Sequence, residues 1–393
     1  MMKENMLIFN MYLFFILSGI TKTIIGPVLP SMIENYGVTL TVAGLILSVL
    51  SFGRLISVIT ATFLLDNVGY KPILTTGAAL MSIGLIGFTM SIWWWGHVLF
   101  ILFVGLGIGL IGSSSNALIA EVNTDNKGKA LNHLHMFFGV GSLIGPLIAG
   151  FLLSYNLNWR VVFWPAVIFS LMLLILIVTR EFPEKVVTKD KRENSLVRLG
   201  KLIHSPIFYF LAIVMFVYVG VGNGIMGWMN KYLGDVMSFS GMAASGVLAL
   251  YTLGITVGRL TCGLFVDSLG YKKTILLCSI GSLLSITLAV MSNMIVFILI
   301  GFALTGFFMA GLFPTAIAYG TSLFPEMLGT ISSALITTAV IGGTTIPWVM
   351  GAISDNYGLK GGMMITIVLA IILSISSILL FFTEDRKKES LDI

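Results

Sequence analysis

Displaced by 201 residues, the chain lies over itself. Asp66, Gly69, Tyr70 and Lys71 meet Asp267, Gly270, Tyr271 and Lys272, while Gly105, Gly128, Gly141, Pro146 and Gly150 meet Gly306, Gly329, Gly342, Pro347 and Gly351. With 43 glycines in the chain, glycine coincidences alone carry little weight. The ordered Asp-x-x-Gly-Tyr-Lys block, the paired prolines and a single ungapped offset carry much more. A half-length repeat inside a strongly apolar chain points to two related helical bundles, an architecture of membrane transporters.

Composition excludes a soluble globular protein: 57% of residues are hydrophobic, 10% are charged, and the mean hydropathy is +1.02. Apolar segments of bilayer length are expected at 7–33, 40–65, 73–92, 97–121, 131–154, 160–180, 206–231, 241–266, 273–291, 294–322, 330–354 and 361–383. The fold class is therefore an all-α integral membrane protein with 12 transmembrane helices in two pseudo-symmetric six-helix bundles. The first segment is longer than a signal-peptide core and no small-x-small cleavage site follows it before Pro27 and Pro30, so it is expected to stay in the protein. Cys262 and Cys278 fall inside expected helices, where a thiol behaves as a small hydrophobe, and suggest neither a disulfide nor a metal site.

Cations set the orientation, because retained Lys and Arg mark cytoplasmic loops. Sixteen fall on one face, from Lys3 through Lys71, Lys127 and the 180–201 run to Lys388; only Arg160, Lys231 and Lys360 fall on the other. Both termini are expected in the cytoplasm, the protein being a multi-pass component of the cytoplasmic (inner) membrane. The net charge of +5 then belongs to the membrane surface, leaving no case for a nucleic-acid partner. The expected organisation is an N-terminal bundle over 1–180, a cytoplasmic linker over 181–205, a C-terminal bundle over 206–383 and a tail over 384–393. The linker mixes both signs of charge, as solvated connections do.

Between the second and third helices runs Thr62-Phe-Leu-Leu-Asp66-Asn-Val-Gly69-Tyr-Lys71; its repeat is Gly263-Leu-Phe-Val-Asp267-Ser-Leu-Gly270-Tyr-Lys272-Lys273, and Gly351-Ala-Ile-Ser-Asp355-Asn-Tyr-Gly358 echoes it. The block resembles the Gly-x-x-x-Asp-x-x-Gly-(Arg/Lys)-(Arg/Lys) signature of the major facilitator superfamily of secondary transporters. The first copy departs from it at Thr62 and Tyr70. An Asp at a helix end beside a tight glycine turn can accept hydrogen bonds from the start of a neighbouring helix and pair with a base. The resemblance implies that such groups latch the cytoplasmic side. Asp66, Gly69, Lys71, Glu121, Lys127, Asp267, Gly270 and Lys272 are accordingly assigned to gating, with Arg259, eight residues before Asp267, in a structural role beside them.

Asn116 and the stretch Leu131-Asn-His133-Leu-His135-Met-Phe-Phe-Gly139-Val-Gly141 are similar to the Leu-Asn-x-x-His-x-x-Phe-Gly-x-Gly pattern of the fucose/glucose branch of sugar symporters, as is Tyr218-Val-Gly220-Val-Gly222 followed by Trp228 and Tyr232. That branch's glutamate is replaced by Gly222. No carboxylate occupies the middle of any expected helix. The intramembrane ionisable residues are instead Lys22, Arg54, Arg259, His133 and His135. A cation at mid-bilayer costs about 2.5 to 3.5 kcal/mol on insertion scales and so calls for a partner; a substrate anion would serve, as would backbone carbonyls near Gly19, Gly26 and Pro27.

Lys22 shares a polar stripe with Ser18 and Thr21, which fits substrate or proton handling. For Arg54, function and structure weigh equally. His133 and His135 are two apart, so at most one faces a cavity; both remain proton-coupling candidates with Lys22, although a packed histidine is the simpler reading of each. The resemblance places the first, fourth, seventh and tenth helices around a central cavity, which makes Asn116, Asn223 and Asn230 lining residues. Trp228 fits either stacking on a sugar ring or an interfacial position.

The expected function is a secondary active or facilitative transporter moving a small polar solute, foremost a sugar or sugar-like compound, by alternating access. The alternatives are proton-coupled efflux of drugs or amphipathic metabolites, for which Gly141-x-x-x-Gly145-Pro146 speaks, and transport of an organic anion, for which Lys22 and Arg54 speak. No nucleotide-binding motif is present, and no clustered catalytic set specifies an enzyme. The expected partners are a small-molecule substrate, protons or another coupling ion, and the lipid bilayer, around a monomer with no cofactor and no metal.

Overall fold

The computed structural model describes residues 2–122, 127–180, 202, 204–324 and 327–383. The tail at 384–393 and nearly all of the linker at 181–205 lie outside the described residues, as do the side chains of Asp66 and Lys127. The elements are helices: α1 Met2–Thr23, α2 Ile25–Tyr36, α3 Leu40–Val68, α4 Tyr70–Met90, α5 Trp94–Val122, α6 Lys127–Ser154, a short 3-10 turn Trp159–Phe163, α7 Trp164–Thr179, α8 Pro206–Asp235, α9 Gly241–Leu269, α10 Tyr271–Met291, α11 Ile295–Ala310, α12 Leu312–Leu323 and α13 Leu328–Phe382. Among the described residues, eleven spans are long and apolar enough to cross a membrane. The last, 53 residues long, has room for two crossings joined at Gly358, which brings the described spans to the expected twelve.

The sequence repeat is reproduced in the backbone. Helices α3 and α9 start and stop 201 residues apart, as do α4 and α10, and α5 and α11 start at the same offset. Even the caps correspond. Thr39 accepts a hydrogen bond from Val42 N–H with its hydroxyl, and Ser240, 201 residues on, does the same for Ala243 N–H.

Two crossings are broken where a single helix was expected. α1 ends at Thr23 and α11 at Ala310, each four residues before a proline, Pro27 and Pro314. The proline ring clashes with the carbonyl four residues back and supplies no N–H, so the helix gives way there. Between the last two crossings the expected connection shortens to Gly358, whose non-helical geometry separates two helical arms.

Gly69, Gly270 and Gly358, the glycines of the three Asp-x-x-Gly blocks, share φ of 76°, 79° and 73° with ψ of −177°, 154° and 166°. Only glycine tolerates that region, which lets one helix end and the next begin within one residue. A Cβ at these positions would touch nothing within 4 Å, so the demand is conformational and not steric. Gly270→Ala is expected to destabilise by about 1 to 3 kcal/mol, visible as a lower melting temperature. Gly37→Ala, at φ 59° and ψ 30°, is expected to cost only about 1 to 2 kcal/mol.

Candidate functional site

Four titratable groups come from helices of both bundles and lie within reach of one another's charge. Lys22 lies in the last turn of α1 beside the helix break, Arg54 at mid-α3, His135 on α6 and Arg259 on α9. Lys22 and His135 each feel the charges of both Arg54 and Arg259. Arg54 is ringed by protein yet open to solvent, as a side chain facing an internal gap should be. Among the described residues, no carboxylate pairs with Lys22, Arg54 or Arg259, and neither the Lys22 ammonium nor the Arg54 guanidinium donates a hydrogen bond. Arg259 donates to the Tyr218 hydroxyl at 3.2 Å. Cations left without a carboxylate partner can hold an anion.

The surroundings are aromatic and polar. His135 packs edge-on to Phe15 at 5.4 Å, and Tyr12 stacks on Phe137 at 4.5 Å. Gly222, which stands where the sugar-symporter branch carries glutamate, faces the Tyr251 hydroxyl, 3.5 Å from where a Cβ would be. Asn116 donates to its own helix at Gly112 O, 2.7 Å away, and is half-buried. His133 is exposed, two positions from His135 and so on another side of α6.

Between the bundles, close backbone approaches concentrate at the face opposite the chain termini, called distal below. A Cβ on Gly26 would lie 2.1 Å from Met226 O, one on Gly351 2.4 Å from Leu40 O, and one on Gly150 2.6 Å from Ser245 Cβ. Halfway through, Asn223 spans the seam, donating to Ser51 Oγ at 3.0 Å and Gly343 O at 3.2 Å. Gly112 and Gly263, nearer the terminal face, have nothing within 4 Å of an added Cβ, and neither do Gly241 and Gly246 at the distal start of α9. The bundles meet closely at Gly26 and Gly351 and leave a cleft elsewhere on the distal face.

Two expected cavity residues belong to that seam. Trp228 is 1% exposed and donates its indole N–H to Pro347 O at 2.8 Å; the ring packs at Gly44 and Gly351 and is not free to stack on a solute. Asn230 is buried against Ser245 Oγ, 2.9 Å away, at the edge of a separate distal cleft of about 410 Å³. Arg259, assigned beside the gate, donates to Tyr218 on α8.

At the terminal face the departure at Tyr70 acquires a partner, because its hydroxyl donates to Glu121. Lys272 Nζ donates to Thr383 O, Lys71 is half-buried and Asp267 is exposed. Sequence reasoning missed Tyr251, as well as a distal knot in the N-terminal bundle. There Arg160 donates to Thr89 O, Ser91 O and the Tyr36 hydroxyl, Tyr36 meets His97 Nε2 at 2.7 Å, and Trp159 lies under the guanidinium at 4.8 Å. The isolated distal cation Arg160 was the available signal.

Comparison with known proteins places this geometry. The model of the Major Facilitator Superfamily matches residues 11–260 and 239–392. The MFS-type transporter YfkL of Bacillus subtilis is 22% identical, with 89% of both chains covered. The cis,cis-muconate transport protein of Acinetobacter baylyi is 25% identical, over 90% of this chain and 88% of that one. A bacterial homologue of the human lysosomal transporter Spinster, solved in an inward-facing and occupied conformation, superposes with a TM-score of 0.81 at 15% identity over 99% of both chains.

Replacing Trp228 with phenylalanine keeps an aromatic ring in the seam and removes the donor to Pro347. The expected loss is about 1 kcal/mol of stability, read from thermal unfolding, with less than a twofold change in ligand affinity. A tenfold loss of affinity would return the ring to the binding site.

Proposed function

Because the chain belongs to the Major Facilitator Superfamily, we propose that it carries a small organic anion across the membrane by alternating access, with Lys22, Arg54 and Arg259 as the charge-binding groups. The observation that carries this reading is the central gathering of three cations from both bundles with no carboxylate paired to them among the described residues. Cations inside a span are costly unless a partner is present, and an anion arriving from solution is the partner the protein itself lacks. A relative named for carrying cis,cis-muconate is in keeping with this.

In the proposed cycle, the distal seam is the closed gate of a state open toward the termini. Excess positive charge on the terminal face makes that face cytoplasmic. The bundles, divided at the 181–205 linker, rock about the central site. Asp66, Lys71, Glu121 and Lys127 are assigned to the opposite gate. Lys22 and His135 remain the groups through which a proton could be coupled. The sugar reading has less to rest on: its stacking tryptophan is held in the seam, and Gly222 replaces the acid of the branch that motivated it.

The test is a thermal-shift and direct-binding panel of dicarboxylates, monocarboxylates, sugars and cationic drugs on purified protein, since selective binding stabilises the folded state. Stabilisation by carboxylates is expected. Lys22→Gln should then raise the dissociation constant at least tenfold, about 1.4 kcal/mol, with little change for a neutral analogue. Stabilisation by sugars or cationic drugs alone would overturn the anion reading.

A further inference from the structure

The third Asp-x-x-Gly block does something its two relatives at the terminal face are not placed to do. α3 and the first arm of α13 pack along each other in opposite directions across the seam, so the carboxyl end of that arm comes to the amino end of α3. Asp355 fills the junction. Its Oδ1 accepts from Leu40 N–H at 2.8 Å, while Oδ2 accepts from Thr41 N–H at 2.8 Å and from the Thr41 hydroxyl at 2.5 Å.

The first N–H groups of a helix have no partner within it, and they carry the positive end of the helix dipole. In α3 the local cap Thr39 serves only Val42 N–H; Leu40 and Thr41 are served by a carboxylate from the other bundle. Cap and gate are therefore one contact. Hydrogen bonds to a carboxylate are among the stronger ones, yet Asp355 is exposed, so water can replace its partners when the bundles part. Going inward from this contact, the seam continues as Gly351 against Leu40 O and Gly44 against Pro347 O.

The repeat supplies a built-in control. Ser154 lies 201 residues before Asp355, at the matching end of α6. Its hydroxyl turns back to Phe151 O of its own helix, 2.7 Å away, and the start of α9 is capped by Ser240 alone. Among the described residues, an acid accepts from the first N–H groups of α3 and none does so at the start of α9.

We propose that Asp355 is the latch of the distal gate, a positioning residue that favours the distal-closed state by capping α3 from the opposite bundle. The proposal rests on the alternating-access reading and not on the identity of the substrate.

The experiment uses purified full-length protein in detergent, with Cys262 and Cys278 replaced by alanine and Leu47→Cys as a reporter inside the seam, where the Leu47 side chain packs at Gly227. The rate of labelling by a maleimide reports opening. Asp355→Ala is expected to raise that rate at least fivefold. Asp355→Asn, which keeps the shape and one acceptor, should raise it two- to fivefold and serves if the alanine variant misfolds. Ser154→Ala should leave it unchanged. An unchanged rate in folded Asp355→Asn and Asp355→Ala proteins would overturn the latch, as would an equal acceleration by Ser154→Ala. A protein that binds no carboxylate but labels faster without Asp355 removes the anion reading and leaves the latch standing.

Discussion

A cation inside a membrane must find a counter-charge or water, and the arrangement of this molecule follows from that requirement. On insertion scales each of Lys22, Arg54 and Arg259 costs about 2.5 to 3.5 kcal/mol at mid-bilayer. None is paired with a carboxylate among the described residues, so the cost is bearable only if the three share an accessible gap. Under the proposed function their helices provide it, and Arg54 is an exposed side chain at the middle of α3. The break at Thr23, set by Pro27, falls beside Lys22 and leaves backbone carbonyls without helical donors there.

A gap at the terminal half requires a tight closure at the distal half, and glycine makes the closure possible. Van der Waals packing, not a hydrophobic driving force, holds helices together in lipid. Gly26 and Gly351 let backbone meet backbone across the seam at distances a Cβ would forbid, Gly44 lies close against Pro347 O, and Gly150 leaves room for the Ser245 side chain. Polar groups then fix the register: the Asn223 amide halfway through, the Trp228 indole on Pro347 O further out, and the Asp355 carboxylate at the rim. These contacts are few, local and replaceable by water or by one another, which suits a seam that must open.

Much of the fold was legible in the sequence, because a repeat with one fixed offset constrains every helix twice; α3 and α9 keep that offset at both ends. The helix breaks were less legible: Pro146 and Pro347 lie inside continuous helices while Pro27 and Pro314 follow breaks. At the site, Lys22 and Arg54 stood out because a charge in an apolar run is conspicuous from any direction. Trp228 and Asn230 were misplaced since the side of a helix that faces a cavity depends on which helix packs against it, and spacing alone does not say. Arg160 and His97 have Gly361 and Ile298 at their repeat positions, so the repeat carried no trace of the knot they form. The substitution of Tyr70 for a base made sense only once Glu121 was seen beside it.

The central claim is that the unpaired cations form a single anion site shared by both bundles. The most direct measurement is a structure of the protein saturated with a bromine-bearing carboxylate, using anomalous scattering to find the bromine. The expected result is one strong peak in the space bounded by Lys22, Arg54 and Arg259, lost in Lys22→Gln protein. A peak confined to the distal cleft beside Asn230, or none between the three cations at saturating concentration, would contradict it.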